Sequence, residues 1–69
     1  LQVSFDASGM DGAKARVDVF DMKGSVVASA SQRCVDGINA FSLEMPRRGL
    51  YTVRVAVAGS VATRRILLR

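Results

Sequence analysis

The sequence predicts an all-β domain, a small antiparallel β-sandwich. Apolar and polar residues alternate with a period of two in short runs, as with Ala15, Val17 and Val19 against Arg16, Asp18 and Phe20. That is the pattern of a strand with one buried face. The runs are rich in β-branched residues and are separated by glycine, aspartate and serine turn signals about every ten residues. No stretch carries a helical period. A closed barrel is the alternative, but the strands are few for closure.

The elements follow in chain order. Leu1 to Phe5 alternates and reads as a strand, and Asp6 to Gly12 holds two glycines, two aspartates and a serine and reads as a loop. Lys14 to Asp21 is the next strand. In Asp21-Met22-Lys23-Gly24 an aspartate opens a tight turn and a glycine closes it, the pattern of a type I turn with a bulge. Ser25 to Ser31 then completes a hairpin. Gln32 to Gly37 is polar and ends in a second turn signal, Asp36-Gly37. Ile38 to Glu44 alternates with Phe41 and Leu43 on one face. Met45-Pro46-Arg47-Arg48-Gly49 is a connection, because Pro46 cannot donate to a ladder and Gly49 supplies a corner.

Gly49 to Val57 is a core strand, with Tyr51, Val53, Val55 and Val57 on one face and Thr52, Arg54 and Ala56 on the other. A turn at Gly59-Ser60 leads to a last strand running to Arg69. Ala62, Arg64, Ile66 and Leu68 share one of its faces, and Val61, Thr63, Arg65, Leu67 and Arg69 the other. A bulge near Ser60 would reverse which face points inward. The whole is an immunoglobulin-like sandwich of six to seven strands, a single domain spanning residues 1–69.

A chain of 69 residues makes one domain. It buries about 60% of the surface its unfolded form exposes, so its stability is modest. A hydrophobic share of 49% with a single proline argues against disorder. No apolar run approaches the roughly 20 residues of a membrane-spanning helix. Leu1 to Phe5 is too short for a secretory signal. The chain does not begin with methionine, and it is expected to be a fragment, one domain cut from a longer parent. Cys34 has no partner for an internal disulfide and is expected to be a small half-buried residue. No histidine is present to activate its thiol.

Charge is uneven along the chain. Residues 1–46 balance to −2 and residues 47–69 carry six arginines and no acid, giving the net +4. Either the C-terminal hairpin meets an anionic partner, or its arginines guard an edge strand against sheet-to-sheet pairing.

Catalysis is not expected. Without histidine the commonest base and metal ligand is missing. One cysteine makes no zinc site. Asp6, Asp11, Asp21 and Asp36 stand at turns or strand ends, where aspartate caps backbone N–H groups. Asp6 to Gly12 is too sparse in acids for a calcium loop, and no glycine-rich loop cradles a phosphate. No cofactor, metal or small-molecule substrate is therefore expected. Nucleic acid is not expected either, since three of the four aromatics, Phe5, Phe41 and Tyr51, alternate as core residues do. Phe20 alone lies opposite Val17 and Val19.

Several segments together resemble a known family. They are Val17-Asp18-Val19-Phe20-Asp21-Met22-Lys23-Gly24-Ser25-Val26-Val27, Gly37-Ile38-Asn39 leading to Phe41-Ser42-Leu43, Gly49-Leu50-Tyr51-Thr52-Val53-Arg54-Val55, and the basic-aliphatic Arg64-Arg65-Ile66-Leu67-Leu68-Arg69. In order and spacing they resemble the C-terminal sorting domain of type IX secretion cargo from Bacteroidota and relatives. The resemblance spans about residues 14 to 69.

It implies an immunoglobulin-like sandwich at the C-terminus of a larger secreted protein. Such a domain would be recognised in the periplasm and cross the outer membrane with its cargo. Outside it would meet a shuttle protein and a cysteine-type sortase that cleaves ahead of it and attaches the cargo to the cell surface. Carried onto this chain, Asp21 and Gly24 would form the motif turn and Gly49 and Tyr51 the corner strand. Arg64, Arg65, Ile66, Leu67, Leu68 and Arg69 would form the recognition segment. Lysine is usual where Arg64 and Arg65 stand, and the connection through Arg47 and Arg48 is more basic than in the family.

Arg65 and Arg69 would bracket Leu67 on one face, pairing charged anchors with an apolar plug. The plainer reading makes Ile66 and Leu68 core residues and Leu67 an ordinary exposed one. The alternative function is an accessory sandwich of a secreted glycan-degrading enzyme, binding carbohydrate or spacing domains. The absence of tryptophan weighs against glycan binding.

Overall fold

A computed structural model describes residues 1–9, 12–45 and 47–69. The turn role read for Asp11 and the connecting role read for Pro46 lie outside the described residues. Six strands run in order: β1 (Gln2–Asp6), β2 (Lys14–Phe20), β3 (Val26–Arg33), β4 (Ile38–Ser42), β5 (Gly49–Val57) and β6 (Ser60–Leu68). Every pairing is antiparallel. One sheet has two strands, β1-β4, and the other has four, β3-β2-β5-β6. The chain is all-β and its sheets stack as a small sandwich.

The alternation read from sequence sets the two inner faces. In the large sheet β2 supplies Ala15, Val17 and Val19, all fully buried, and β5 supplies Tyr51, Val53 and Val57. Ala28 and Ala30 of β3 stand beside Val19 and Val17 in register and pack against the same core. In the small sheet Val3 faces Phe41 in register, and the rings of Phe5 and Phe41 stack with centroids 5.7 Å apart. Burying a valine side chain in this way contributes about 1.5–3 kcal/mol, so the β2–β5 centre dominates the stability.

Loops fasten the sheets through buried polar contacts. Asn39 is buried. Its Oδ1 accepts from the Val35 N–H at 2.9 Å, and its Nδ2 donates to the carbonyls of Val35 and Gly37 at 2.8 and 3.1 Å. This amide takes the backbone's place in holding the turn before β4. Cys34, expected half-buried, is a full core residue. Its N–H donates to the Ala13 carbonyl at 2.7 Å and its own carbonyl accepts from the Gly12 N–H at 2.9 Å. The thiol is drawn in because the main chain is bonded on both sides.

Three further details differ from the sequence reading. β3 extends to Arg33 rather than Ser31, because its pairing with β2 continues to Lys14. β4 ends at Ser42 rather than Glu44, where its pairing with β1 runs out. The last hairpin turns at Ala58-Gly59, not Gly59-Ser60, since Ser60 already pairs with Val57. Ala58 sits at φ 49°, the left-handed conformation that a two-residue hairpin turn demands.

Candidate functional site

β6 lies at an edge of the four-stranded sheet and pairs with β5 from Ser60 to Leu68 in unbroken register. No bulge reverses its faces. Ala62, Arg64, Ile66 and Leu68 therefore point to the inner side, and Val61, Thr63, Arg65 and Leu67 to the outer. Ile66 stands beside Tyr51 and Leu68 beside Gly49, both half-buried against the core. Leu67 stands beside Leu50 and is 60% exposed. Arg69 follows the strand and is exposed. The two readings of this segment thus divide by residue. Ile66 and Leu68 serve the core, while Arg65, Leu67 and Arg69 meet solvent. Arg64 is exposed although it belongs to the inner face.

The motif turn forms as the residues dictate. The Asp21 carboxylate accepts from the N–H groups of Lys23 at 2.9 Å and Ser25 at 3.0 Å. The Gly24 N–H donates to the Asp21 carbonyl at 3.1 Å, and Gly24 takes φ 86°, which any side chain would resist. Just before the turn the β2–β3 register shifts at Val19/Phe20, so β3 carries a bulge at Val27. At the other motif, Gly49 takes φ 151°, and a Cβ there would lie 3.8 Å from the Tyr51 ring. The Tyr51 hydroxyl donates to the Arg47 carbonyl at 2.7 Å. This bond ties the chain entering β5 to the core.

The fold brings these separate segments together. Phe20, Asp21, Met22 and Gly24 from the first hairpin meet Leu50, Tyr51 and Thr52 of β5 and Arg65 of β6 around one hollow of about 320 Å³. Met22 is 79% exposed at its rim, and Leu50 is partly exposed beside Leu67. The result is an apolar and basic surface assembled from Met22, Leu50, Arg65 and Leu67.

Beside it lies a charged cluster that the sequence did not reveal. Asp18 is buried although it points to the outer face of β2. The Arg16 Nε–H is shared between its two oxygens at 3.1 and 3.2 Å, and Arg54 donates to Oδ2 at 3.3 Å. The Arg54 guanidinium also lies 5.3 Å from the centre of the Phe20 ring. Long arginine stems thus cover both the carboxylate and the ring. Arg16 and Asp18 share a face two residues apart, which the alternation revealed. Arg54 joins them only because β5 pairs with β2. Phe20, the aromatic singled out as non-core, is therefore capped by this arginine.

Asp6 and Asp36 act at loops. The Ser8 hydroxyl and N–H both donate to Asp6 Oδ1, at 2.6 and 3.0 Å, and the Gly9 N–H donates to Asp36 at 2.8 Å. The bond from the Ser8 hydroxyl, followed by that from its N–H, holds the Asp6 carboxyl below its ordinary pKa. Among the described residues no three histidine, cysteine, aspartate or glutamate side chains cluster to hold a metal ion. Among the described residues no helix is long and apolar enough to cross a membrane. No protein-family model, curated protein or solved structure matches the chain.

Proposed function

We propose that this domain is a non-catalytic sorting signal of the type IX secretion kind. It directs export of a covalently joined cargo across the outer membrane and its attachment at the cell surface, and an outer-membrane shuttle protein and a sortase read it. The observation that carries the proposal is the convergence of the family-like segments on one exposed surface. Asp21 and Gly24, Leu50 and Tyr51, and Arg65 lie far apart in sequence yet line a single hollow, with Leu67 beside Leu50. Turn residues needed only for folding have no reason to present an exposed methionine and leucine next to a guanidinium. A recognition surface does, because an apolar plug with charged neighbours gives both affinity and register.

The immunoglobulin-like assignment belongs to the same proposal. A β3-β2-β5-β6 sheet packed on a β1-β4 pair follows the strand neighbourhoods of that fold without all of its strands. The Tyr51 hydroxyl bonded to a carbonyl four residues upstream matches the tyrosine corner of such sandwiches.

The test fuses the domain to the C-terminus of a periplasmic reporter in a host that has the secretion system. The expected outcome is reporter at the cell surface or in the medium. Retention in the periplasm with the domain folded refutes the proposal. The accessory-sandwich alternative predicts retention of the isolated domain on insoluble polysaccharide, which the sorting reading does not.

A further inference from the structure

The net charge of the chain sits on one surface, the outer face of the four-stranded sheet. Lys14 of β2 and Arg33 of β3 stand side by side at one end of it. From there register sets an arginine on each strand in turn, always one row further along. Arg33 is followed by Arg16 of β2, which pairs with Ser31 and Ala56. Arg54 of β5 comes next, paired with Asp18 and Thr63, and Arg65 of β6 comes last, paired with Thr52. Diagonal neighbours on one face of a sheet lie about 7–8 Å apart, so the four arginine positions make a stripe of roughly 22 Å across all four strands. Lys14 and the four arginines are all exposed.

Little on this face offsets the stripe. Among the described residues Asp18 is the one acid on it, and the chain's other five cations and five acids cancel. The Asp18 side chain is buried beneath Arg16 and Arg54 and bonded to both. It anchors the two guanidinium groups and leaves Nη1 and Nη2 of Arg16, and Nε and Nη1 of Arg54, without an acceptor among the described residues. Asp6, Asp36 and Glu44 belong to the small sheet or the segments beside it, and the Asp21 carboxylate is turned onto the N–H groups of Lys23 and Ser25. At the Lys14 end the stripe meets a hollow of about 360 Å³ lined by Lys14, Arg16, Ser31 and the turn residues Ala58 and Gly59, with no described acid in its wall.

We infer that this face binds an acidic polysaccharide, a soluble polymer of carboxylate-bearing sugars, laid across the strands along the arginine stripe. Guanidinium forks match carboxylates with paired N–H donors, and a row of them suits a linear polymer with repeating charge. Ser29, Ser31, Thr52 and Thr63 stand among the arginines on the same face, and their hydroxyls both give and accept hydrogen bonds, as sugar hydroxyls require. Single-stranded nucleic acid would want an exposed ring for its bases to stack on, but the one aromatic on this face, Phe20, is half-buried with the Arg54 guanidinium over it. A bilayer would want apolar residues set around the cations, but Leu50 and Leu67 pair beyond the end of the stripe. The ligand is held by its charge, so neutral glycans are not bound. This inference goes beyond the sorting function and does not rest on it: export can fail while the face still binds.

The test titrates the domain with octagalacturonate and with its fully methyl-esterified form, which keeps the sugar chain and loses the charge. Salt is held at about 0.15 M, where exposed charges more than roughly 8 Å apart are screened from one another. The expected result is saturable binding of the acid and none of the ester. The side-chain Nε–H signals of Arg16, Arg54 and Arg65 shift on binding, while that of Arg64, on the opposite face of β6, does not. Lys14→Glu and Arg65→Glu, at the two ends of the stripe, each weaken binding about tenfold. Both side chains are exposed and neither is in an ion pair with a described residue, so both variants keep the fold. The inference is overturned if octagalacturonate does not bind the folded domain, if the ester binds as well, or if the Arg64 signal shifts in place of that of Arg65. It is equally overturned if octathymidylate, octaglutamate or vesicles of phosphatidylcholine and phosphatidylglycerol bind as tightly, since the occupant is then a nucleic acid, an acidic polypeptide or a membrane.

Discussion

Removing Arg54 should destabilise the domain more than removing the carboxylate it binds. The Asp18 side chain is 5% exposed, whereas those of Arg16 and Arg54 are 63% and 48% exposed. Taking away Asp18 returns two arginines to water that already reaches them. Taking away Arg54 strands a buried carboxylate on a single donor and uncovers Phe20. A hydrogen bond to a charged group contributes about 1.5–3 kcal/mol, reduced here because Arg54 is half exposed and Arg16 remains. Adding about 0.5 kcal/mol for the contact with Phe20 puts Arg54→Met near 1.5–2.5 kcal/mol. Asp18→Leu should cost about 1 kcal/mol. The double variant should cost less than the sum by about 1 kcal/mol, since no buried charge is left unpaired. Urea or thermal unfolding of the four proteins closes the cycle, and 1 kcal/mol corresponds to a Tm change of about 4–8 °C in a domain this small. A coupling below about 0.3 kcal/mol would show that the Asp18–Arg54 contact contributes no energy, and the reasoning would fall.

Tyr51→Phe keeps the packed ring and loses only the bond to the Arg47 carbonyl, so it should lower stability by about 1 kcal/mol in equilibrium unfolding. Ala58→Asn should raise stability by about 0.5–1 kcal/mol in the same assay, because alanine at φ 49° is strained and asparagine before glycine suits this turn. The Asp6 carboxyl has its pKa depressed in the folded state, so its bonds to Ser8 are complete above the ordinary carboxylate range and are lost as pH falls through the folded pKa. Protection of the Ser8 amide, its exchange rate relative to the intrinsic rate at the same pH, should therefore fall only at acid pH, and Asp6→Asn should remove that dependence.

The large sheet was legible because its period is strict. Ala15, Val17 and Val19, and then Tyr51, Val53 and Val57, alternate cleanly, and each set turned inward as a block. The Asp21–Gly24 turn was legible because aspartate and glycine there have a mechanism and not only a frequency. Pairing was not legible. That Arg54 lies across from Asp18 depends on β2 meeting β5, which are separated by two strands and their loops. The hollow joining Met22 to Arg65 depends on the same non-local register. Asn39 looked like one more polar residue on a strand, and its burial follows from the turn before it, where its amide bonds the Val35 N–H and the Val35 and Gly37 carbonyls. The last turn was displaced by one residue because glycine-serine is the commoner signal, yet the two-residue connection placed an alanine in the left-handed position.

The most direct test of the sorting proposal is export of a reporter carrying this domain with Arg65→Glu and Arg69→Glu together. Both side chains are exposed, and neither is in an ion pair with a described residue, so the double variant should unfold at nearly the wild-type midpoint. The expected result is a folded fusion that accumulates in the periplasm, while the wild-type fusion reaches the surface. Undiminished export of the charge-reversed fusion, with its fold intact, would contradict the assignment of a recognition role to this strand.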